Sequence, residues 1–295
     1  NHDDCIIEGN VVGDEIVYVS KVKYVQVIDG KEVELKGLPI DAGTYRVYPV
    51  EYDVEYTLLT NYDVTFVGYS EFTINKLDIT ITPFDPMDKD YDGFTFDYDI
   101  YSGNFDLEGT LAPGEEITIT VWYGNVNNEL IDEIVNAGKY YINVDEIILD
   151  GRTLDNYNVT TKNVDYIISP RKIVIAPEYQ VAVTYDGLVY EYPVNEFVYE
   201  SIYELVGNDT ITVDVVFKDD LGNILEPKNA QEYYMYIVGH TFTNADVVET
   251  NYEIRYSTIG VLFEIIPRNI VITLKPIDSV IYDGLYHYYP YSEKD

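Results

Sequence analysis

Three short motifs recur along this chain at almost one spacing, and that periodicity limits what the chain can fold into more than any single residue does. Tyr-Asp-Gly begins at Tyr91, Tyr185 and Tyr282, with steps of 94 and 97 residues. Asn-Tyr begins at Asn61, Asn156 and Asn251, a step of 95 each time. A third motif reads DAGTYRV from Asp41, NAGKYYI from Asn136 and NAQEYYM from Asn229, with steps of 95 and 93. Such a period is too long for one turn of a solenoid and matches one small β-domain. At 295 residues the chain holds about three of them, each long enough to bury its own core.

Within each period the apolar residues alternate, as half-buried strands require. Ile117, Ile119, Val121 and Tyr123 alternate with Thr118, Thr120 and Trp122, and Ile211, Val213, Val215 and Phe217 repeat the pattern. Ile79-x-Ile81, Ile173-x-Ile175 and Ile270-x-Ile272 open successive periods. Turn residues interrupt at Pro113-Gly114, Asn127-Asn128, Asp150-Gly151 and Asp219-Asp220, and no useful window has a helical period. The pattern predicts an all-β fold of tandem immunoglobulin-like β-sandwiches of about 95 residues. The expected divisions are 1–75, 76–169, 170–266 and a partial segment 267–295. Junctions such as Ser169-Pro170-Arg171 and Ile266-Pro267-Arg268 are short and stiffened by proline, so the modules are expected to form a rod.

The segment Asp41–Val47 is similar to the D-x-G-x-Y-x-C corner of immunoglobulin domains, with Val47, Ile142 and Met235 where the cysteine would stand. That likeness implies that Tyr45, Tyr140 and Tyr233 each tie a strand to the preceding turn. In the third copy Gln231 replaces the glycine. Taken in order, the three motifs resemble the MBG-type and related immunoglobulin-like repeats of bacterial surface proteins. The resemblance implies secreted adhesins, stalks or fibres, extracellular and at the cell surface. It brings no catalytic residues with it.

Composition narrows the partners. Lys and Arg total 18 against 53 Asp and Glu, a formal charge of −35, which repels nucleic acid phosphate and anionic membrane. No apolar run is long enough for a transmembrane helix. Cys5 is the single cysteine, so no internal disulfide is expected. His2, His240 and His287 stand apart, and G-x-S-x-G, H-E-x-x-H, P-loop and C-x-x-C motifs are absent, so no enzyme is expected. Asp88-Lys89-Asp90-Tyr91-Asp92-Gly93, with Asp85 before it and Asp99 after, fits the register of a calcium loop. Asp85, Asp88, Asp90 and Asp92 are therefore candidate Ca²⁺ ligands, although the next period has no acids upstream of Tyr185.

Gly13 aligns with Gly114, so residues 1–75 have no counterpart of 76–101, and residues 267–295 supply nearly that segment. Two expectations follow. The chain is a window from a longer periodic protein, or copies polymerise head to tail, each donating Ile270, Ile272, Leu274, Val280 and Tyr282 to residues 1–75 of a neighbour. Burying five such side chains yields roughly 8–15 kcal/mol. Association costs about 4–15 kcal/mol, so main-chain pairing has to contribute. The function expected is that of a structural subunit or stalk of an extracellular fibre, partnered by itself or by the rest of a longer repeat protein. The alternative is an adhesin that binds host or matrix glycans or proteins through some of its 32 tyrosines, which requires exposed aromatics repeated in phase.

Overall fold

The computed structural model describes residues 5–98, 103–276 and 278–287. The chain forms two compact units, Asn1–Pro170 and Arg171–Asp295. Both are built from strands, and among the described residues the helical content is confined to single 3-10 turns such as Leu59–Asn61, Leu154–Asn156 and Glu249–Asn251.

The first unit starts with four strands: β1 (Ile16–Ile28), β2 (Lys31–Glu34), β3 (Gly43–Glu55) and β4 (Ser70–Ile74). They form one antiparallel sheet in the order β2-β1-β3-β4. Val17, Val25 and Tyr45 are buried. Among the described residues no second sheet involves residues before Leu77.

Among the described residues the rest of this unit has eight strands: β5 (Leu77–Pro83), β6 (Lys89–Asp90), β7 (Phe105–Glu108), β8 (Glu116–Gly124), β9 (Leu130–Ile131), β10 (Gly138–Asp150), β11 (Tyr157–Thr161) and β12 (Val164–Ser169). They make a five-stranded sheet, β6-β12-β10-β8-β9, and a three-stranded sheet, β11-β5-β7. The alternation read from the sequence explains why the two sheets face each other. Ile79 and Ile81 of β5 and Tyr157 of β11 pack on Ile119 of β8, with Leu107, Val121, Val144 and Ile147 closing around them. Two ladders are parallel, β5 with β11 and β6 with β12, because β5 and β6 open the module and meet strands that close it.

The second unit repeats this plan with β13 (Arg171–Pro177), β14 (Val183–Thr184), β15 (Phe197–Tyr199), β16 (Ile211–Lys218), β17 (Ile224–Leu225), β18 (Glu232–Phe242), β19 (Tyr252–Tyr256) and β20 (Val261–Ile266). The sheets are β15-β13-β19 and β14-β20-β18-β16-β17, with β13 parallel to β19 and β14 parallel to β20. Phe217, Tyr233, Met235, Phe263 and Ile265 form its buried cluster. After β20, residues 267–276 and 278–287 carry no strand.

The long central hairpins share a detail. β1 and β3 shift register beside Val19, β8 and β10 between Val144 and Ile147, and β16 and β18 beside Asp214. A bulge at one place in each module bends the hairpin and pins its register, since a one-residue slip would turn the core face outward.

Candidate functional site

Each copy of the third motif makes the same bond. The Tyr45 hydroxyl donates to the carbonyl of Asp41 at 2.6 Å, Tyr140 to Asn136 at 2.7 Å and Tyr233 to Asn229 at 2.9 Å. The turn at the third corner keeps this bond although Gln231 stands where the glycine was. Burial raises the pKa of Tyr45 and Tyr140, so both phenols remain donors well past neutral pH.

A second repeated device had no counterpart in the sequence reading. The tyrosine of each Asn-Tyr pair bridges a backbone N–H and a carboxylate. Tyr157 accepts from the N–H of Ala112 at 2.9 Å and donates to Glu115. Tyr62 accepts from Val12 and donates to Glu15, and Tyr252 accepts from Val206 and donates to Asp209. The available signal was an acid one or two residues after Gly13, Gly114 and Gly207. In so acidic a chain, spacing alone does not single it out.

The Asn of the pair serves a different purpose. Within the first unit, Asn156 Oδ1 accepts from the N–H of Ala42 at 2.7 Å, and its Nδ2 donates to Asp41 Oδ1 at 3.0 Å. Arg152 closes the contact as a fork, Nε to Asp41 Oδ1 at 2.5 Å and Nη2 to Oδ2 at 2.7 Å. These bonds hold Asp41 down to a pKa of about 2, with Arg152 the larger cause and Asn156 the next. Gly151 has φ +147°, and a Cβ there would meet the Glu115 side chain at 2.7 Å, so the turn presenting Arg152 needs the glycine. The corner of one sheet is thereby fastened to the closing turn of the sandwich that follows it.

The first sheet differs from its counterparts where its core face should be covered. Phe72 pairs across the ladder with Tyr45 as Tyr166 does with Tyr140 and Phe263 with Tyr233. Tyr166 and Phe263 are each 1% exposed, whereas Phe72 is 37% exposed. Their cover is an aromatic five residues after the tyrosine of Tyr-Asp-Gly: Phe96 lies 4.1 Å from Tyr166, and Tyr190 lies 4.3 Å from Phe263, ring centre to ring centre. β4 is an edge strand, while β12 and β20 have β6 and β14 on their far sides. Residues 62–66, the counterpart of β11, form no strand, having no opening strand beside them. Conversely, Ile270 and Ile272 are 77% and 83% exposed, and Leu274, Val280 and Tyr282 are exposed too, where Ile79, Ile81, Ile173 and Ile175 are buried.

The acidic run does not gather as a calcium loop. Asp92 Oδ1 accepts from Lys89 Nζ at 2.8 Å and from the N–H of Phe94 at 3.0 Å, and Asp88 accepts from the N–H of Ile167 on β12 at 2.8 Å. These carboxylates are engaged in fixing β6 and its turn. Among the described residues no three His, Cys, Asp or Glu side chains converge as a metal site, so Asp85, Asp88, Asp90 and Asp92 are not brought together. Asp99 lies outside the described residues. Among the described residues exposed tyrosines recur in phase only in part: Tyr185 and Tyr282 are both exposed while Tyr91 at the same position is buried, Tyr56 has Gly151 one period on, and Tyr179 has Asp85 one period back. Among the described residues no helix is long and apolar enough to cross a membrane.

No protein-family model matches the chain, and no curated protein does. Among solved structures it is similar to the three N-terminal domains of the Highly Immunogenic Outer Capsid protein (Hoc) of bacteriophage RB49. That likeness is slight. Identity is 10%, the match covers 87% of this chain and 95% of that one, and the TM-score is 0.24. The all-β assignment therefore stands on the sheets themselves.

Proposed function

We propose that this chain is a structural element of an extracellular surface fibre or stalk, and that copies join head to tail by strand donation. The observation that carries the reading is Phe72, left open on a core face whose two counterparts are sealed by a Tyr-Asp-Gly segment. Residues 267–287 repeat the opening pattern, with His287 at the place of Phe96 and Tyr190, and the side chains of Ile270, Ile272, Leu274, Val280 and Tyr282 are exposed.

The two complete sandwiches supply the register of the proposed contact. In them, Val159 lies opposite Ile79 and Ile254 opposite Ile173 in parallel ladders. The same pairing sets Val64 opposite Ile270 and Phe66 opposite Ile272 of a neighbour. Tyr91 donates its N–H to Ser169 and Tyr185 to Ile266, so Tyr282 donates to Asn75 and Val280 lies beside Ile74. The donated segment thus caps the β4 edge and covers Phe72, removing an apolar face and an open strand edge together. The motif resemblance to MBG-type repeats supports a cell-surface setting, and the open face at Phe72 together with the exposed segment after β20 supports self-association. The adhesin alternative needs exposed aromatics in every period, and at the Tyr-Asp-Gly position Tyr185 and Tyr282 are exposed while Tyr91 is buried.

Sedimentation of the whole chain tests this. Oligomers that lengthen with concentration are expected, and the double substitution Ile270→Lys, Ile272→Lys should leave monomers with unchanged circular dichroism. A wild-type chain that stays monomeric at high concentration overturns the proposal.

A further inference from the structure

We infer that the exposed turn at Asn61 is the receiving half of a polar joint whose other half is the corner Asn229–Ala230 of a second copy. The inference rests on the strand-donation reading and specifies a contact outside the donated strand. Its template lies inside the first unit, where the corner Asp41–Ala42 is seated on Asn156 through the Ala42 N–H and the Asp41 carboxylate. In that joint Asn156 and Ala42 are half-buried.

Both halves recur unmated. Asn61 stands in the same 3-10 turn as Asn156, one period earlier, and is exposed. Its Nδ2 turns back to Thr57 Oγ1 at 2.8 Å, and among the described residues its Oδ1 accepts no hydrogen bond. Asn229 and Ala230 stand at the positions of Asp41 and Ala42, and both are exposed. The corner itself is already formed, because Tyr233 Oη accepts from the N–H of Asn229 at 3.1 Å and donates to its carbonyl. The Ala230 N–H is therefore held in place for an acceptor.

Charge supports this pairing. Asp41 is acidic where Asn136 and Asn229 are neutral, and Arg152 is basic where Thr57 and Val247 are neutral. An acidic corner thus faces a basic turn in the joint within the first unit, and a neutral corner would face a neutral turn between copies. A corner bearing a carboxylate would have no cation to meet at Thr57. The chain connectivity also matches. In the first unit the corner strand β3 pairs with β4, and the chain runs at once into the opening strand β5. In the second unit β18 pairs with β20, and the chain runs at once into residues 267–276. Donating that segment brings the corner of its own unit to the acceptor's Asn61 turn.

The test measures the association constant of the full chain by analytical ultracentrifugation, with circular dichroism as the control for folding. Asn61→Ala should weaken association roughly fivefold, the loss of about one neutral hydrogen bond. Asn229→Asp alone should weaken it by a similar factor, and adding Thr57→Arg should recover it and make it fall with added salt, as the Asp41–Arg152 fork would. Wild-type-like association in Asn61→Ala, or no coupling between Asn229→Asp and Thr57→Arg, overturns the joint. If the Ile270→Lys, Ile272→Lys chain is then still monomeric, strand donation stands without it. A monomeric wild type removes both.

Discussion

At the residue scale the chain uses tyrosine as a fastener rather than as filler. Tyr45, Tyr140 and Tyr233 close their own corners onto neutral carbonyls. Tyr62, Tyr157 and Tyr252 reach a carboxylate, and hydrogen bonds to charged groups are worth more than neutral ones. Tyr157→Phe is therefore expected to cost about 2 kcal/mol and Tyr140→Phe about 1 kcal/mol, read from the urea midpoints of dilute protein. Equal costs would mean that the Glu115 bond adds nothing. The pH dependence has a definite sign. Burial first, and Glu115 second, raise the Tyr157 pKa. Its contribution is full below the unfolded value of about 10 and is lost as pH rises through the folded one. Tyr157→Phe should remove that part of the alkaline loss.

At the element scale, the same aromatic position sits in two environments. Phe263 is sealed under Tyr190, so Phe263→Ala should cost about 3–5 kcal/mol. Phe72 stacks on Tyr45 at 5.6 Å but is partly wet, so Phe72→Ala should cost only roughly 1–2 kcal/mol in dilute, unassembled protein. A full penalty at Phe72 there would show that something within the single chain already covers it. The strands were legible because alternation reports burial directly: Ile79, Ile81, Ile173 and Ile175 read as core and are core. Two kinds of feature were not legible. Strand pairs such as β6 with β12 are two residues long, below the reach of any period. The Asp41–Arg152 fork joins residues 111 apart whose types do not recur in phase, so no repeat announces it. The acidic run shows the opposite case. Its spacing matches a calcium loop, but the turn it occupies assigns Asp92 to Lys89 and Asp88 to a strand N–H.

At the scale of the whole molecule, a formal charge of −35 opposes any meeting of two copies. The proposed donated contact is apolar and main-chain, so it should strengthen as salt screens that repulsion. Raising ionic strength from about 0.01 M to about 0.15 M shortens the screening length from about 30 Å to about 8 Å. Association measured by light scattering is expected to increase several-fold over that range. A decrease would mean that ion pairs, not strands, hold the copies together. The parallel ladder has one more consequence, and it concerns time. Leu77 of β5 waits for Tyr157 of β11, 80 residues later in the chain. At about 5–20 residues per second of synthesis, that interval is roughly 4–16 s during which the opening strand has been made and its mate has not. Loop closure over such a separation is slow even afterwards. Each complete sandwich therefore passes through an adolescence in which its first strand is apolar, extended and unclaimed. In the proposed assembly the segment after β20 would differ only in how long that phase lasts, its mate arriving on another molecule.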